Sequence, residues 1–172
     1  LRVVGPRGLH LAFHSQMSGP MFPVGMDVFN AELTFETISA GATLEAGEVT
    51  IFTAPLRHPG GAIAYRLEHR GCSVVHAVDT EHADGGLDLA LLELCCGAGV
   101  LVYDAQYLPE EYEAKRGWGH STHEHAAELA RAAGVHTLVL THHDPTRDDA
   151  AVLQIEQRAR ALFPNTWCAR EG

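Results

Sequence analysis

The stretch Thr137-Leu138-Val139-Leu140-Thr141-His142-His143-Asp144-Pro145 decides the fold class. A short apolar run stops abruptly at polar residues that can bind metal. Such a run reads as a buried strand that presents a side chain at its C-terminal edge, where layered α/β proteins gather their ligands. Two other stretches share this build. Val49-Thr50-Ile51-Phe52-Thr53-Ala54-Pro55-Leu56 runs into Arg57-His58-Pro59, and Val74-Val75-His76-Ala77-Val78 runs into Asp79-Thr80-Glu81. Three endings of one kind point to a His/Asp metal site built from His58, Asp79 and His142.

Outward from these runs, the first half reads as strands. Leu1 to Pro6 is a strand ending in a turn, and Arg7 to Met17 a short helix. Ser18 to Asp27 is a Gly/Pro/Met-rich loop. Ala31 to Ile38 alternates with period two, as a half-buried strand does. Gly41 to Gly47 carries turn signals. Glu48 to Leu56, Ala62 to Glu68 and Cys72 to Val78 follow as strands, and the row of four predicts an antiparallel or mixed sheet. The second half alternates: helix Leu87–Cys95, strand Gly99–Tyr103, helix Pro109–Lys115, helix Thr122–Ala133, strand His136–Thr141, helix Thr146–Phe163, short strand Thr166–Ala169. Ser121 to Glu124 fits a capping box with Ser121 as N-cap, and Thr146 reads as the N-cap of the last helix. The expected architecture is an α/β layered domain, a sheet sandwich with helices outside, in one domain over residues 1–172.

Composition narrows the function. The formal net charge is −10, with Asp+Glu 22 against Lys+Arg 12. That balance disfavours a broad grip on nucleic acid; only Arg66, His69 and Arg70, or Lys115 and Arg116, offer a local basic patch. The four cysteines form no C-x-x-C pair, so zinc-ribbon and thioredoxin readings are unsupported. Cys95 and Cys96 read as core residues in a reducing cytoplasm. No apolar run is long enough to span a bilayer, and no membrane partner is expected. Histidines number 12, as many as Lys+Arg together. The abrupt start at Leu1 reads as the C-terminal part of something longer.

Imidazole and carboxylate suit Zn²⁺, and also Mn²⁺ or Fe²⁺. A carboxylate can bridge two cations, which places Asp79 at the centre of a two-metal site. Each residue alone has an ordinary alternative: a His-Pro turn, a turn-capping Asp, a loop His. His120 sits just before a helix whose positive end disfavours imidazolium, so it suits a general acid for a leaving alkoxide; the alternative is packing against that helix. Asp104 ends the strand Leu101-Val102-Tyr103 and either hydrogen-bonds a metal-binding His or caps its turn. His143 is left as a pocket residue. His10, His14, His69, His76, His82, His123, His125 and His136 read as surface or satisfied.

At these residues the chain resembles the metallo-β-lactamase superfamily, and within it the ribonuclease Z-like and cyclic-phosphodiesterase-like hydrolases. The matching stretches are His58-Pro59-Gly60-Gly61-Ala62-Ile63-Ala64-Tyr65-Arg66, Asp79-Thr80-Glu81, Asp104-Ala105-Gln106-Tyr107, Gly117-Trp118-Gly119-His120-Ser121-Thr122 and Leu140-Thr141-His142-His143-Asp144-Pro145. The resemblance implies a four-layer αββα sandwich, with His58 on one metal, Asp79 bridging, His142 on the other metal and His120 donating a proton near the substrate phosphate. The family's H-x-H-x-D-H motif is absent, so the chain is expected to be the C-terminal two-thirds or so of a longer, N-terminally truncated domain with an incomplete site for two divalent ions. Residues 59–78 leave room for a hairpin but not for the tRNA-gripping arm of ribonuclease Z proper.

The leading expectation is therefore a metal-dependent phosphodiesterase acting on a small phosphodiester or similar ester, cytoplasmic and homo-oligomeric. A tRNA 3′-end processing nuclease is the alternative within the class. A non-catalytic scaffold or interaction module is the alternative outside it.

Overall fold

In a computed structural model the described residues are 1–20 and 22–170; Met21, in the expected Ser18–Asp27 loop, lies outside them, as do residues 171–172. The chain divides into two compact units, Leu1–Ala42 and Thr43–Gly172.

In the first unit, β1 (Arg2–Gly5) pairs in parallel with β2 (Thr34–Thr37). Helix α1 (Leu9–Gln16) connects them, and Phe13 meets Phe35 edge-on at 5.6 Å between ring centres. The sequence reading put the strand at 31–38 in one row with the three that follow. The row breaks there, because β2 takes β1 as its partner.

The second unit is a seven-stranded sheet in the order β3-β4-β5-β6-β7-β8-β9. β3 (Thr43–Ala46), β4 (Val49–Leu56), β5 (Ala62–His69) and β6 (Cys72–Ala77) form an antiparallel meander. The turn signals at 41–47 had hidden β3. Gly47, with φ 64°, makes the tight turn that lets Ala46 pair with Val49, a conformation glycine adopts freely. β7 (Val100–Asp104), β8 (Thr137–Thr141) and β9 (Thr166–Cys168) then add in parallel.

Each parallel step needs a crossover. α2 (Leu89–Cys95) supplies the first, α3 (Pro109–Lys115) and α4 (His123–Ala132) the second, and α5 (Asp149–Leu162) the third. Successive right-handed crossovers moving the same way across a sheet leave their helices on one face. α2 packs on β4 and β5, α4 on β7 and β8, and α5 on β9, with α4 touching both α2 and α5. Beneath this layer alternate strand residues are buried: Val75 and Ala77, Leu101 and Tyr103, Leu138 and Leu140. Ala126, Ala127 and Ala130 let α4 settle closely on the sheet. The neighbouring positions Val100, Val102 and Val139 are only half-buried, so the apolar runs that read as buried throughout are fully buried on one face. Cys95 lies in this core with its thiol pushed up to about 12 by burial, whereas Cys96 is exposed and not a core residue.

Two caps differ from the sequence reading. Thr122, not Ser121, caps α4 by accepting the His125 N–H, because Ser121 is turned inward to His82. Asp148, not Thr146, caps α5 by accepting the Ala151 N–H, because Thr146 bonds Asp144. Gly134 ends α4, with φ 64° and the Val135 N–H returning to the Ala130 carbonyl at 2.9 Å. No helix among the described residues is long and apolar enough to cross a membrane.

Candidate metal centre

β6, β7 and β8 are parallel, and β4 runs in the same direction as β6 because two antiparallel pairings separate them. Their C-terminal ends therefore share one edge of the sheet. The residues just beyond are His58 after β4, Asp79 after β6 and His142 after β8, while Asp104 is the last residue of β7. Register sets their spacing: Ala77 lies opposite Tyr103, and Asp104 opposite Thr141.

Four donors meet at this edge. One side-chain atom each from Asp79, Asp104, His120 and His142 lies within 4.8 Å of the other three. His142 Nε2 is 3.1 Å from Asp79 Oδ1. The His120 and His142 rings stack at 4.8 Å. Asp79 and His142 both have left-handed backbones, with φ 60° and 59°, a conformation costly for residues other than glycine that recurs at functional sites. The twist turns each chain sharply at its strand end and aims the side chain at the neighbouring donor.

Asp104 is the organiser. Its side chain is wholly inaccessible, and it accepts the N–H groups of Asp79 at 3.2 Å, Gln106 at 3.1 Å and Ser121 at 3.2 Å. His120 Nδ1 approaches Asp104 Oδ2 at 2.9 Å. A carboxylate engaged this way can only accept, so the proton at that contact sits on His120 Nδ1 and leaves Nε2 free. The partner of Asp104 is thus His120, with His142 Nδ1 farther off at 3.7 Å. His58 stands outside the four-donor group. Its ring lies edge-on to His120 at 5.6 Å, and its Nδ1 accepts the Gly60 N–H at 3.2 Å.

The donor set fits a divalent transition ion. Imidazoles and carboxylates converge, and His142 Nδ1 is buried without a hydrogen-bond partner, as an atom reserved for another ligand would be.

Glu81 was not singled out by sequence. Its carboxylate takes the Tyr112 hydroxyl at 2.7 Å and the N–H groups of Gly117 and Gly119 at 2.8 and 3.1 Å, and its own N–H bonds the Arg57 carbonyl. Burial works against its charge, but these donors prevail and hold its carboxyl below the ordinary range. Glu81 thereby fixes the loop carrying His120 to the strand ends carrying His58 and Asp79. The signal was only the short step from Asp79 to Glu81.

Other histidines also take on more definite settings. His82 stacks on His125 at 3.2 Å, and burial, then the neighbouring His125, pushes its pKa down to about 4. His123, read as surface or satisfied, is buried, with its pKa down to about 4 and Nδ1 unpartnered. His143 lines a cavity with Val152, Leu153 and Arg170.

A mixed sheet backed by helices, with His and Asp donors at its strand edge, defines a metallo-β-lactamase-type fold. The chain belongs to the family described as the beta-lactamase superfamily domain, whose model matches residues 10–143. It is similar to ribonuclease Z of Gemmatimonas aurantiaca, with 40% identity over 103 residues, covering 60% of this chain and 31% of that protein. It is similar also to ribonuclease Z of Mycolicibacterium gilvum, with 31% identity over 161 residues, covering 85% and 54%. The chain thus spans about a third to about half the length of these relatives. Among solved structures, the metallo-β-lactamase fold protein YhfI from Bacillus subtilis matches with TM-score 0.73 and 18% identity, covering 100% of this chain and 63% of that one. Zn²⁺-bound PqqB from Methylobacterium extorquens matches with TM-score 0.69 and 15% identity, covering 100% and 63%.

Proposed function

We propose that the chain carries the catalytic edge of a metal-dependent phosphodiesterase. The observation that carries this reading is the bond between His120 and the buried Asp104, beside the Asp79–His142 pair. His58, Asp79 and His142 would hold the ions, with Asp79 shared between two. When bound, such ions supply Lewis acidity and make water a nucleophile at neutral pH. Zinc is the first choice, since the donors suit it and PqqB is a Zn²⁺-bound relative by fold.

The protein's own groups do the proton work. His120 keeps Nδ1–H on Asp104 and presents protonated Nε2 to the leaving oxygen. As that proton leaves, the ring becomes neutral and keeps its bond to Asp104, so its orientation survives the step. Glu81 holds the loop at a fixed depth. The test is His120→Ala with metal content measured alongside turnover of a phosphodiester. Loss of turnover with metal retained supports the role, and unchanged turnover overturns it.

A second reading is a ribonuclease Z-like tRNA 3′-end nuclease, favoured by the identity to two proteins of that name. Against it stand the charge of −10 and the short β5–β6 hairpin, which turns at Arg70-Gly71 between His58 and Asp79. Salt-sensitive tRNA binding would favour it, and absence of binding at low salt would count against it.

A further inference from the structure

Trp118 departs from its surroundings. Its side chain is 59% exposed, yet its backbone is fixed on both sides. Glu81 accepts the N–H of the residue before it and of the residue after it. The Trp118 N–H closes a turn on the Lys115 carbonyl at 3.1 Å. Gly119 packs so closely on His58 and Pro59 that a Cβ there would lie 2.4 Å from the His58 ring. Leaving an indole in water costs free energy, and a rigid segment that imposes this cost presents a preorganised surface to a ligand.

Lys115 completes the feature. It is the only lysine in the chain. Nearby arginines are engaged, Arg116 by Asp84 and Glu113, Arg147 by Glu111. Lys115 makes no ion pair among the described residues. Its ammonium lies 4.5 Å from the centre of the Trp118 ring and 6.0 Å from that of Tyr107. Tyr107 meets His120 edge-on at 5.8 Å. The series Trp118, Lys115, Tyr107, His120 leads from the exposed ring to the proton donor.

We propose that Trp118 and Lys115 form the specificity subsite of this centre, with a nucleobase stacked on the indole and a phosphate oxygen on the ammonium. The accepted phosphodiester is then a nucleotide one. The inference rests on the phosphodiesterase reading and deepens it by naming the group beside the scissile phosphate. Stacking on tryptophan tolerates any base. In an acidic chain a cation that rests on aromatic rings, without a carboxylate of the described residues in salt-bridge reach, draws the phosphate in. A purely aliphatic diester would leave the indole unused.

Two measurements test it. In a Trp167→Phe background Trp118 is the only tryptophan. Adenosine monophosphate is expected to quench its fluorescence at concentrations about tenfold lower than ribose 5-phosphate requires, the scale of one base–aromatic stack. Equal effects of the two, or no quenching by either, overturn the proposal. In the zinc-loaded protein, Trp118→Ala is expected to raise KM for thymidine 5′-p-nitrophenyl phosphate about tenfold, with Trp118→Phe near wild type and KM for ethyl p-nitrophenyl phosphate unmoved. Lys115→Met raises KM for both esters, and Lys115→Arg restores it. If Trp118→Ala treats the two esters alike, the subsite is refuted. If wild type cleaves neither ester, the phosphodiesterase reading fails, while the fluorescence titration still decides the subsite.

Discussion

Asp104 holds His120 by a 2.9 Å contact between Oδ2 and Nδ1, and it does so from a side chain with no solvent exposure. The same carboxylate accepts the backbone N–H of Asp79. One buried group therefore sets both the tautomer of the proposed proton donor and the position of the proposed bridging ligand.

Asp104→Asn is expected to lower kcat for a phosphodiester by about 100-fold or more, the scale of a general acid's contribution. Its amide can face His120 with either end, so the tautomer is no longer imposed. Kinetics run beside elemental analysis check this: metal content near wild type with a fallen kcat is the expected pair. A kcat within a few-fold of wild type would remove Asp104 from the mechanism.

Gly119→Ala is expected to destabilise the protein by about 1–3 kcal/mol, combining a positive φ with overpacking. The added methyl meets the His58 ring and Pro59, so bound metal should fall as well. Thermal unfolding and zinc stoichiometry measured together test it. An unchanged Tm would mean that the loop moves freely, contrary to its tether on Glu81.

Glu81→Ala removes the acceptor for three donors and is expected to cost about 1–3 kcal/mol. Its pH behaviour has a definite sign. The carboxyl is held below the ordinary value of 4.5, so its contribution is present above pH 4.5 and is lost as pH falls through the folded value. The difference in Tm between wild type and Glu81→Ala should shrink below pH 4.5, and a constant difference down to pH 3 would refute the assignment.

His82 is half-buried and His123 buried, and burial pushes the pKa of each down from 6.5 to about 4. Between these values the unfolded chain binds more protons than the folded one, so stability falls as pH drops from 6.5 toward 4. His123→Phe should flatten that slope in a series of Tm measurements. An equally steep slope would place the proton uptake elsewhere.

The strand ends made Asp79 and His142 legible because an apolar run followed by a polar residue is a local pattern, and topology brings both to one edge. Asp104 was half legible: its place at a strand end is local, but its choice of His120 over His142 depends on how the loop at 117–121 folds back. Glu81 was not legible, because its partners Gly117 and Gly119 lie 36 and 38 residues away. The caps went astray at Ser121 and Thr146 for a related reason. Both hydroxyls fit a helix start, and both are drawn off by His82 and Asp144, which no short pattern reveals. β3 was concealed by the glycines that make its hairpin possible.

The donors hang from separate strand ends and from the loop before α4, so no single hairpin or crossover unit holds all of β4, β6, β7 and β8. The centre comes into being only when the meander and the parallel crossovers have joined in one sheet. Affinity for the proposed ion is then a gauge of sheet integrity. Loosening of any one of these strands opens the centre, and a chelator in excess should capture the ion from partly opened molecules well before the last helix is lost.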